Sequence, residues 1–285
     1  MRTELMTRLS ELESAPTMDG MAWADLGRRA IGASAAEIEA VRAALVARLE
    51  GTEGAARARL ELGEALGHLG DPRLCGPGEA AYWVDVTLDD GASLQVGRFH
   101  VTNAEMRQFV ASGAYADEAH WSDGGLLWRD GATDWATLAS PAEAAPFTVP
   151  NQPVVGASWW EAEAYAKAHG ARLLSLAEHR GLVRGAEKRP YPWGSPFREG
   201  YAHTREEALG RPAAVGLYRM DRTPEGLFDL AGNVATWLGD EVGAQRIIHP
   251  GSWARPSMAS WAKALDMVDA GTRSADLGFR LVRER

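Results

Sequence analysis

Cysteine is almost missing from this chain, because Cys75 is the only one in 285 residues. A single thiol excludes an intramolecular disulfide framework and fits a reducing compartment. Long apolar runs are missing as well, since none approaches the roughly 18 residues that a membrane-spanning helix needs. The first residues, Met1 to Met6, lack the sustained apolar stretch of a secretory signal. We therefore expect a cytoplasmic protein that does not enter a membrane.

An excess of basic residues is also missing, and the formal net charge is −9. Phosphate backbones and anionic membrane surfaces attract clustered Lys and Arg. The charge therefore argues against a nucleic-acid binder and against a membrane-surface protein. The motifs of nucleophile elbows, phosphate-binding loops and paired zinc cysteines are absent too. The chain does have 46% hydrophobic residues, which is enough to bury a substantial core.

Residues 1–72 predict an all-α helical segment, because Ala, Leu, Glu and Arg dominate there. Ser34 and Glu37 form a capping-box pattern that begins a helix, and Gly51 is expected to end it. Another predicted helix ends at Gly70-Asp71-Pro72. Apolar residues recur at the spacing of one helical face. The predicted inward positions are Ile38, Val41, Leu45, Leu49, Leu62, Ala65, Leu66 and Leu69.

Residues 73–80 predict a linker, and residues 81–285 a second domain that begins with β-structure. Tyr82, Val84 and Val86 alternate with polar or aromatic residues, and Asp89-Asp90-Gly91 predicts a hairpin turn. Residues 111–150 are expected to be largely irregular, which is unusual unless the stretch is functional or held by aromatic side chains. A helix is predicted from Ser158, with Glu161, Glu163 and Lys167 exposed and Trp160, Ala164 and Ala168 inward. These elements indicate an α+β fold.

Several sequence blocks occur in a fixed order along the second domain. They are Val101–Val110, Asn151–Ala162, Tyr191–Gly194, Val215–Tyr218, Gly226–Val234, Gly251–Trp253 and Leu277–Val282. Over about residues 79–283 the series resembles the formylglycine-generating-enzyme (sulfatase-modifying-factor) family. The resemblance implies the duplicated-lectin variant of the C-type-lectin-like fold, with short helices and much irregular chain.

The departures from the family pattern concern its chemistry. Arg255 and Ser260 lie near the positions where the oxidising members carry two copper-binding cysteines. Copper(I) prefers soft thiolates, which neither a guanidinium nor a hydroxyl replaces. Thr236 stands where the family has a carboxylate that helps Asn233 to bind calcium. Calcium binding and a turn closed by Asn233 both remain open. His179 and His249 replace the Trp and Arg that are usual at their positions.

A related branch, the ergothioneine-pathway sulfoxide synthases, holds an iron with three histidines, two of them in a His-x-x-x-His pair. No two of the seven histidines here are three or four residues apart. An iron site assembled from distant loops stays open. A mononuclear metal enzyme of the kind found in pyoverdine maturation is the favoured catalytic alternative.

The sequence therefore predicts a non-catalytic pseudoenzyme: a bacterial protein- or peptide-binding module with a regulatory role in signalling or defence. No catalytic residue, metal or cofactor is expected. The two alternatives are an oxygen-dependent metalloenzyme of the non-haem iron type, acting on a peptide or small metabolite, and a calcium-dependent lectin-like binder. Trp and Arg are frequent at binding hot spots. The predicted partner-binding residues are Asn233, Trp237, Trp253, Arg255, Ser260 and Trp261.

Overall fold

The computed structural model describes residues 3–15, 20–50, 55–139 and 142–285. The N-terminal part is helical, as predicted, and the predicted inward residues are buried, apart from the partly buried Ile38. The predicted helix end at Gly51 lies outside the described residues. The helices of this part are α1 (Glu4–Ser14), α2 (Gly20–Arg29), α3 (Ala35–Glu50) and α4 (Ala56–Leu69).

Helix α4 packs directly against the second domain. Gly67 allows this approach, because a Cβ there would clash with the side chains of Val149 and Asn151. Asn151 donates from Nδ2 to the carbonyl of Gly63 at 2.9 Å. An apolar cluster is shared between the two parts of the chain. Leu209, Ala213, Leu217 and Tyr218 join the core of the helical segment there.

The strands of the second domain form two four-stranded sheets in the described part of the chain. Their orders are β1-β2-β8-β3 and β6-β5-β4-β7, and the β4–β7 pair is parallel. The predicted hairpin is present, with Gly91 at a φ of 90° in its turn. The strands are β1 (Trp83–Thr87), β2 (Ser93–Gly97), β3 (Arg172–Leu173), β4 (Ala235–Val242), β5 (Gln245–His249), β6 (Asp266–Asp269), β7 (Leu277–Phe279) and β8 (Leu281–Glu284).

Short capped helices lie between the strands. Capping boxes begin α5, α8 and α9, and in each the Thr or Ser side chain and a Glu side chain bond to the other's backbone N–H. The helices are α5 (Asn103–Ala111), α6 (Asp123–Asp130), α7 (Trp135–Leu138), α8 (Trp159–Ala168) and α9 (Leu176–Arg184). The α+β prediction is confirmed. None of the described helices is both long and apolar enough to cross a membrane.

The prediction that residues 111–150 are largely irregular was partly wrong. Helices α6 and α7 lie in this stretch, and a 3-10 helix spans Ala142–Phe147. Asp134 caps α7 by accepting the N–H of Thr137 at 2.7 Å. These elements are too short for a periodic apolar pattern, so capping and tertiary contacts, which periodicity does not reveal, determine them.

Candidate functional site

A pocket of about 210 Å³ opens between α7, the 3-10 helix Ala142–Phe147 and the loop that follows β6. Its walls are mostly apolar. Trp135 is fixed in the wall by an N–H bond to the carbonyl of Val155 at 2.9 Å. The described residues that line it are Trp135, Leu138, Ala139, Ala144, Phe147, Thr148, Val155, Gly156, Arg273, Ser274 and Ala275. An apolar concave site with few polar groups is typical of small-molecule binding.

Arg273 is the one charged side chain among these described lining residues. Its guanidinium donates to Glu161 Oε1 at 2.7 Å and to the carbonyl of Thr133. It also lies over the ring of Trp128, with 4.9 Å between the guanidinium carbon and the ring centroid. These contacts fix the orientation of the guanidinium. The Arg273 side chain remains 16% exposed, so it is accessible from the pocket.

Glu161 is fully buried, so the prediction that it is exposed was wrong. Its carboxylate accepts bonds from the backbone and hydroxyl of Ser158, the hydroxyl of Tyr115 at 2.8 Å and Arg273. A buried carboxylate needs such donors. Burial and the neighbouring Glu161 carboxylate raise the pKa of Tyr115, which keeps its hydroxyl protonated as a donor.

Trp253 is the predicted site residue that adjoins the pocket. Its ring lies 6.1 Å from that of Phe147, between centroids, and its N–H bonds to the carbonyl of Ala275 at 3.2 Å. The sequence prediction did not include Trp135, Phe147 or Arg273. The signal available for Trp135 and Phe147 was the long, largely irregular stretch predicted at 111–150, which is unusual unless it is functional or held by aromatic side chains.

The other predicted site residues do not form one exposed surface with Trp253. Arg255 is exposed and lies 3.4 Å from Asp266 Oδ2. Trp261 is 45% exposed, whereas Ser260 beside it is fully buried and its hydroxyl has no partner among the described residues. Trp237 is also fully buried, and its N–H bonds to a backbone carbonyl at 3.0 Å. It is therefore a core residue.

Asn233 joins two loops. Its side chain accepts the N–H of Ala213 at 2.9 Å and donates to the carbonyl of the same residue at 3.1 Å. Its φ of 68° is left-handed, a conformation that Asn tolerates better than most residues. The Asn233 oxygen is thus already used, and calcium binding stays a prediction.

Three buried histidines lie close together around the end of β5. The rings of His179 and His249 stack with centroids 4.4 Å apart. His100 Nδ1 accepts from Arg280 at 3.3 Å, so its proton is on Nε2, which donates to Thr236 Oγ1 at 2.8 Å. Both ring nitrogens of His179 lack a partner in the described part of the chain. Burial lowers the pKa of all three imidazoles, to about 4 for His249.

The metal that the family resemblance implies does not fit the described residues. They contain no group of three or more His, Cys, Asp or Glu side chains that could hold a metal ion. The buried histidines face Arg280 and Arg180, whose positive charges oppose a further cation. Arg255 and Ser260, near the positions of the copper ligands, supply no soft donor.

Among its relatives, the chain is similar to a hercynine oxygenase from Mycolicibacterium thermoresistibile, with 29% identity over 65% of this chain and 51% of that protein. It is similar to the formylglycine-generating enzyme of Streptomyces coelicolor, with 27% identity over 61% of this chain and 62% of that protein. The chain thus spans about half the length of the hercynine oxygenase. That this relative is an enzyme contradicts the non-catalytic binding module, and that prediction was wrong.

A solved structure, PvdO from Pseudomonas aeruginosa, shares the fold. It matches with a TM-score of 0.50 at 20% identity, over 72% of this chain and 91% of that one. The predicted lectin-like fold of the formylglycine-generating-enzyme type is confirmed. The model of the sulfatase-modifying factor enzyme 1-like domain matches residues 85–285, which is more than half of the chain. The chain therefore belongs to the sulfatase-modifying-factor (formylglycine-generating-enzyme) family.

Proposed function

We propose that the chain is an oxygen-dependent enzyme of this superfamily, which acts on a small metabolite or a short peptide bound in the Arg273 pocket. The likeness to hercynine oxygenases carries the proposal. Two of those relatives share 29% and 28% identity with this chain, compared with 27% for the formylglycine-generating enzyme of Streptomyces coelicolor. The same catalytic alternative was left open by the sequence. The predicted protein partner and cytoplasmic location stay predictions, as does the expected lack of nucleic-acid and membrane binding.

The pocket supports a role in binding and orienting substrate. Trp135, Phe147 and Val155 offer apolar walls that receive an apolar or aromatic group and exclude water from it. The Arg273 guanidinium has five N–H donors, and the contacts with Glu161 and Thr133 occupy two of them. An acceptor group on the substrate can take up a remaining donor at the partly exposed end of this side chain.

The described residues do not fit a three-ligand metal centre, so we derive no step through a metal. We assign only the binding and orientation of the substrate to the residues of this chain. Glu161 holds Arg273 in one direction, and the Trp128 ring supports the guanidinium from its face. A cation fixed by a buried carboxylate loses little side-chain entropy when a ligand binds.

The test is oxygen incorporation by the purified full chain. Hercynine, related amino-acid derivatives and short peptides are incubated under ¹⁸O₂ with a thiol as co-substrate and reductant, with and without added iron(II) or copper(I), and products are followed by mass spectrometry. We expect an ¹⁸O-labelled product from one of these substrates. Absence of any labelled product under every metal condition would refute the proposal.

A matched pair of variants tests whether the substrate binds in the pocket. Arg273→Gln removes the pocket cation, and kcat/KM should fall about tenfold or more, as the loss of a charge-assisted hydrogen bond implies. Arg8→Gln changes an exposed arginine of α1 that pairs with Glu11, and kcat/KM should not change. Equal activity in both variants would move the substrate away from Arg273.

A further inference from the structure

The helical segment lies outside the residues that match the family domain, yet the buried Gln152 joins it to the backbone next to the pocket wall. Gln152 is fully buried and donates from Nε2 to Glu64 Oε1 of α4 at 3.3 Å. The same amide lies 3.1 Å from the carbonyl of Pro146 and 2.8 Å from that of Pro212. Pro146 immediately precedes Phe147 and Thr148, which line the pocket.

Gln152 also holds the chain just after these wall residues. Its Oε1 accepts the backbone N–H of Val149 at 3.3 Å, and its own backbone N–H bonds to the carbonyl of Val149 at 3.0 Å. Phe147 and Thr148 therefore lie between Pro146 and Val149, and the Gln152 side chain bonds to the backbone of both. The two Nε2 hydrogens are shared among three acceptors, so each acceptor, Glu64 included, contributes to the position of the buried amide.

Glu64 is also held in position by an arginine of the second domain. Arg211 donates from Nε to Glu64 Oε1 at 2.6 Å and from Nη2 to Oε2 at 2.9 Å, a two-pronged pair between side chains that are only 16% and 15% exposed. A second contact runs beside this one, where Asn151 donates to the carbonyl of Gly63 and to Asp71 Oδ2, each at 2.9 Å.

We infer that the N-terminal helical segment positions the wall of the pocket, and that Glu64 and Gln152 are the positioning residues. The meaning of this contact for catalysis rests on the proposed function, but the structural coupling does not. It gives the helical segment a role in the site from outside the family domain, although α4 supplies none of the described lining residues.

Hydrogen exchange of the full-length chain tests the coupling without a substrate. Glu64→Ala and Gln152→Ala should each speed exchange of the hydrogen-bonded amides of Thr148, Val149 and Gln152 about fivefold, as loss of one hydrogen bond implies. Exchange in the β4–β5 strand pair should not change. Because both residues act through one contact, the double variant should be no faster than the faster single variant.

Glu61→Ala is the matched control on the same helix. Glu61 pairs with Arg211 at 3.3 Å and with Arg28 and Arg57, but makes no contact with Gln152 among the described residues. It should leave the pocket wall as protected as in the unmodified chain. Three results would each overturn the inference: unchanged exchange in both test variants, equal acceleration in Glu61→Ala, or additive effects in the double variant. Acceleration that extends equally to β4–β5 would count against it as well.

Kinetics then separate this inference from the proposed function. Where turnover is found, Gln152→Ala should raise KM more than it lowers kcat, since it displaces a wall that binds substrate. If the chain shows no turnover, the proposed function fails, while the exchange data still decide whether the helical segment positions the wall.

Discussion

Among the described residues, the buried imidazoles of His100, His179 and His249 have no carboxylate partner. Two of their immediate neighbours, Arg180 and Arg280, are cations, and the stacked rings of His179 and His249 would repel each other if both were charged. Removal from water, above all, lowers the pKa of each ring. All three are therefore neutral in the folded chain near pH 7.

We predict that this group makes the fold sensitive to acid. In the unfolded chain a histidine titrates near pH 6.5, so below that pH the unfolded state binds protons that the folded state does not. The contribution of these three histidines to the free energy of unfolding should fall as pH decreases from about 6.5 towards 4, by up to about 1.4 kcal/mol per pH unit for each histidine. The buried carboxyl groups of Glu105, Asp221 and Asp229, whose pKa burial raises, contribute in the opposite direction, so the histidine contribution is read from the difference between the variant and the unmodified chain. Urea unfolding at a series of pH values measures this slope.

His179→Phe is the informative variant for this prediction. It keeps a ring against His249 and removes two buried nitrogens that have no partner in the described part of the chain, so its stability should decline less steeply between pH 6.5 and 5. The control is His68→Gln, at an exposed position of α4, which should retain the full slope. Parallel curves for His179→Phe and the unmodified chain would show that these rings do not cause the acid sensitivity.

Residue roles were the least predictable feature of the candidate site. Periodicity placed Glu161 on an exposed face of α8, but its carboxylate completes a capping box and holds Arg273, more than 100 residues away. Arg273 itself follows no motif. Its position in a pocket depends on the packing of α7 and the segment 144–148 beside its loop, which a linear pattern does not encode.

At the scale of secondary-structure elements, the sequence predicted the features that depend on residues close together along the chain. The β1–β2 hairpin and the start of α8 after Ser158 are set by residues within a few positions of each other, so the sequence was sufficient for them. The pairing of β8 between β2 and β3 joins segments more than 100 residues apart. Only the family resemblance, and no periodicity, could predict that arrangement.

Gly67 gives an element-scale test of the contact between α4 and the second domain. Helix propensity alone predicts that Gly67→Ala stabilises α4 by about 1 kcal/mol. Packing predicts the opposite, because the new Cβ would meet the side chains of Asn151 and Val149. We expect packing to win, with a loss of about 1–3 kcal/mol in the free energy of unfolding. A gain in stability on urea unfolding would mean that α4 lies farther from Asn151 than this structure shows.

At the scale of the whole molecule, the two parts of the chain share one apolar cluster. Leu217 and Tyr218 of the second domain are nearly fully buried within the cluster formed by the helical segment, where Leu60 and Leu66 also lie. Burial of an apolar side chain contributes about 1.5–3 kcal/mol each. The described contacts therefore make the helical segment part of the stability of the second domain, in addition to its contacts with Gln152 and Asn151.

We accordingly predict that residues 73–285 do not fold to full stability when expressed alone. Removal of the helical segment would expose Leu209, Leu217 and Tyr218 and leave Arg211 without Glu61 and Glu64. The truncated chain should aggregate or unfold at a Tm at least about 10 °C lower, since exposure of three buried side chains costs about 4.5–9 kcal/mol and each kcal/mol shifts the Tm by about 2–4 °C. Thermal unfolding and size-exclusion chromatography of both forms measure this. A truncated chain that is monomeric, with an unchanged Tm, would show that the lectin-like domain is independent of the helices packed on it.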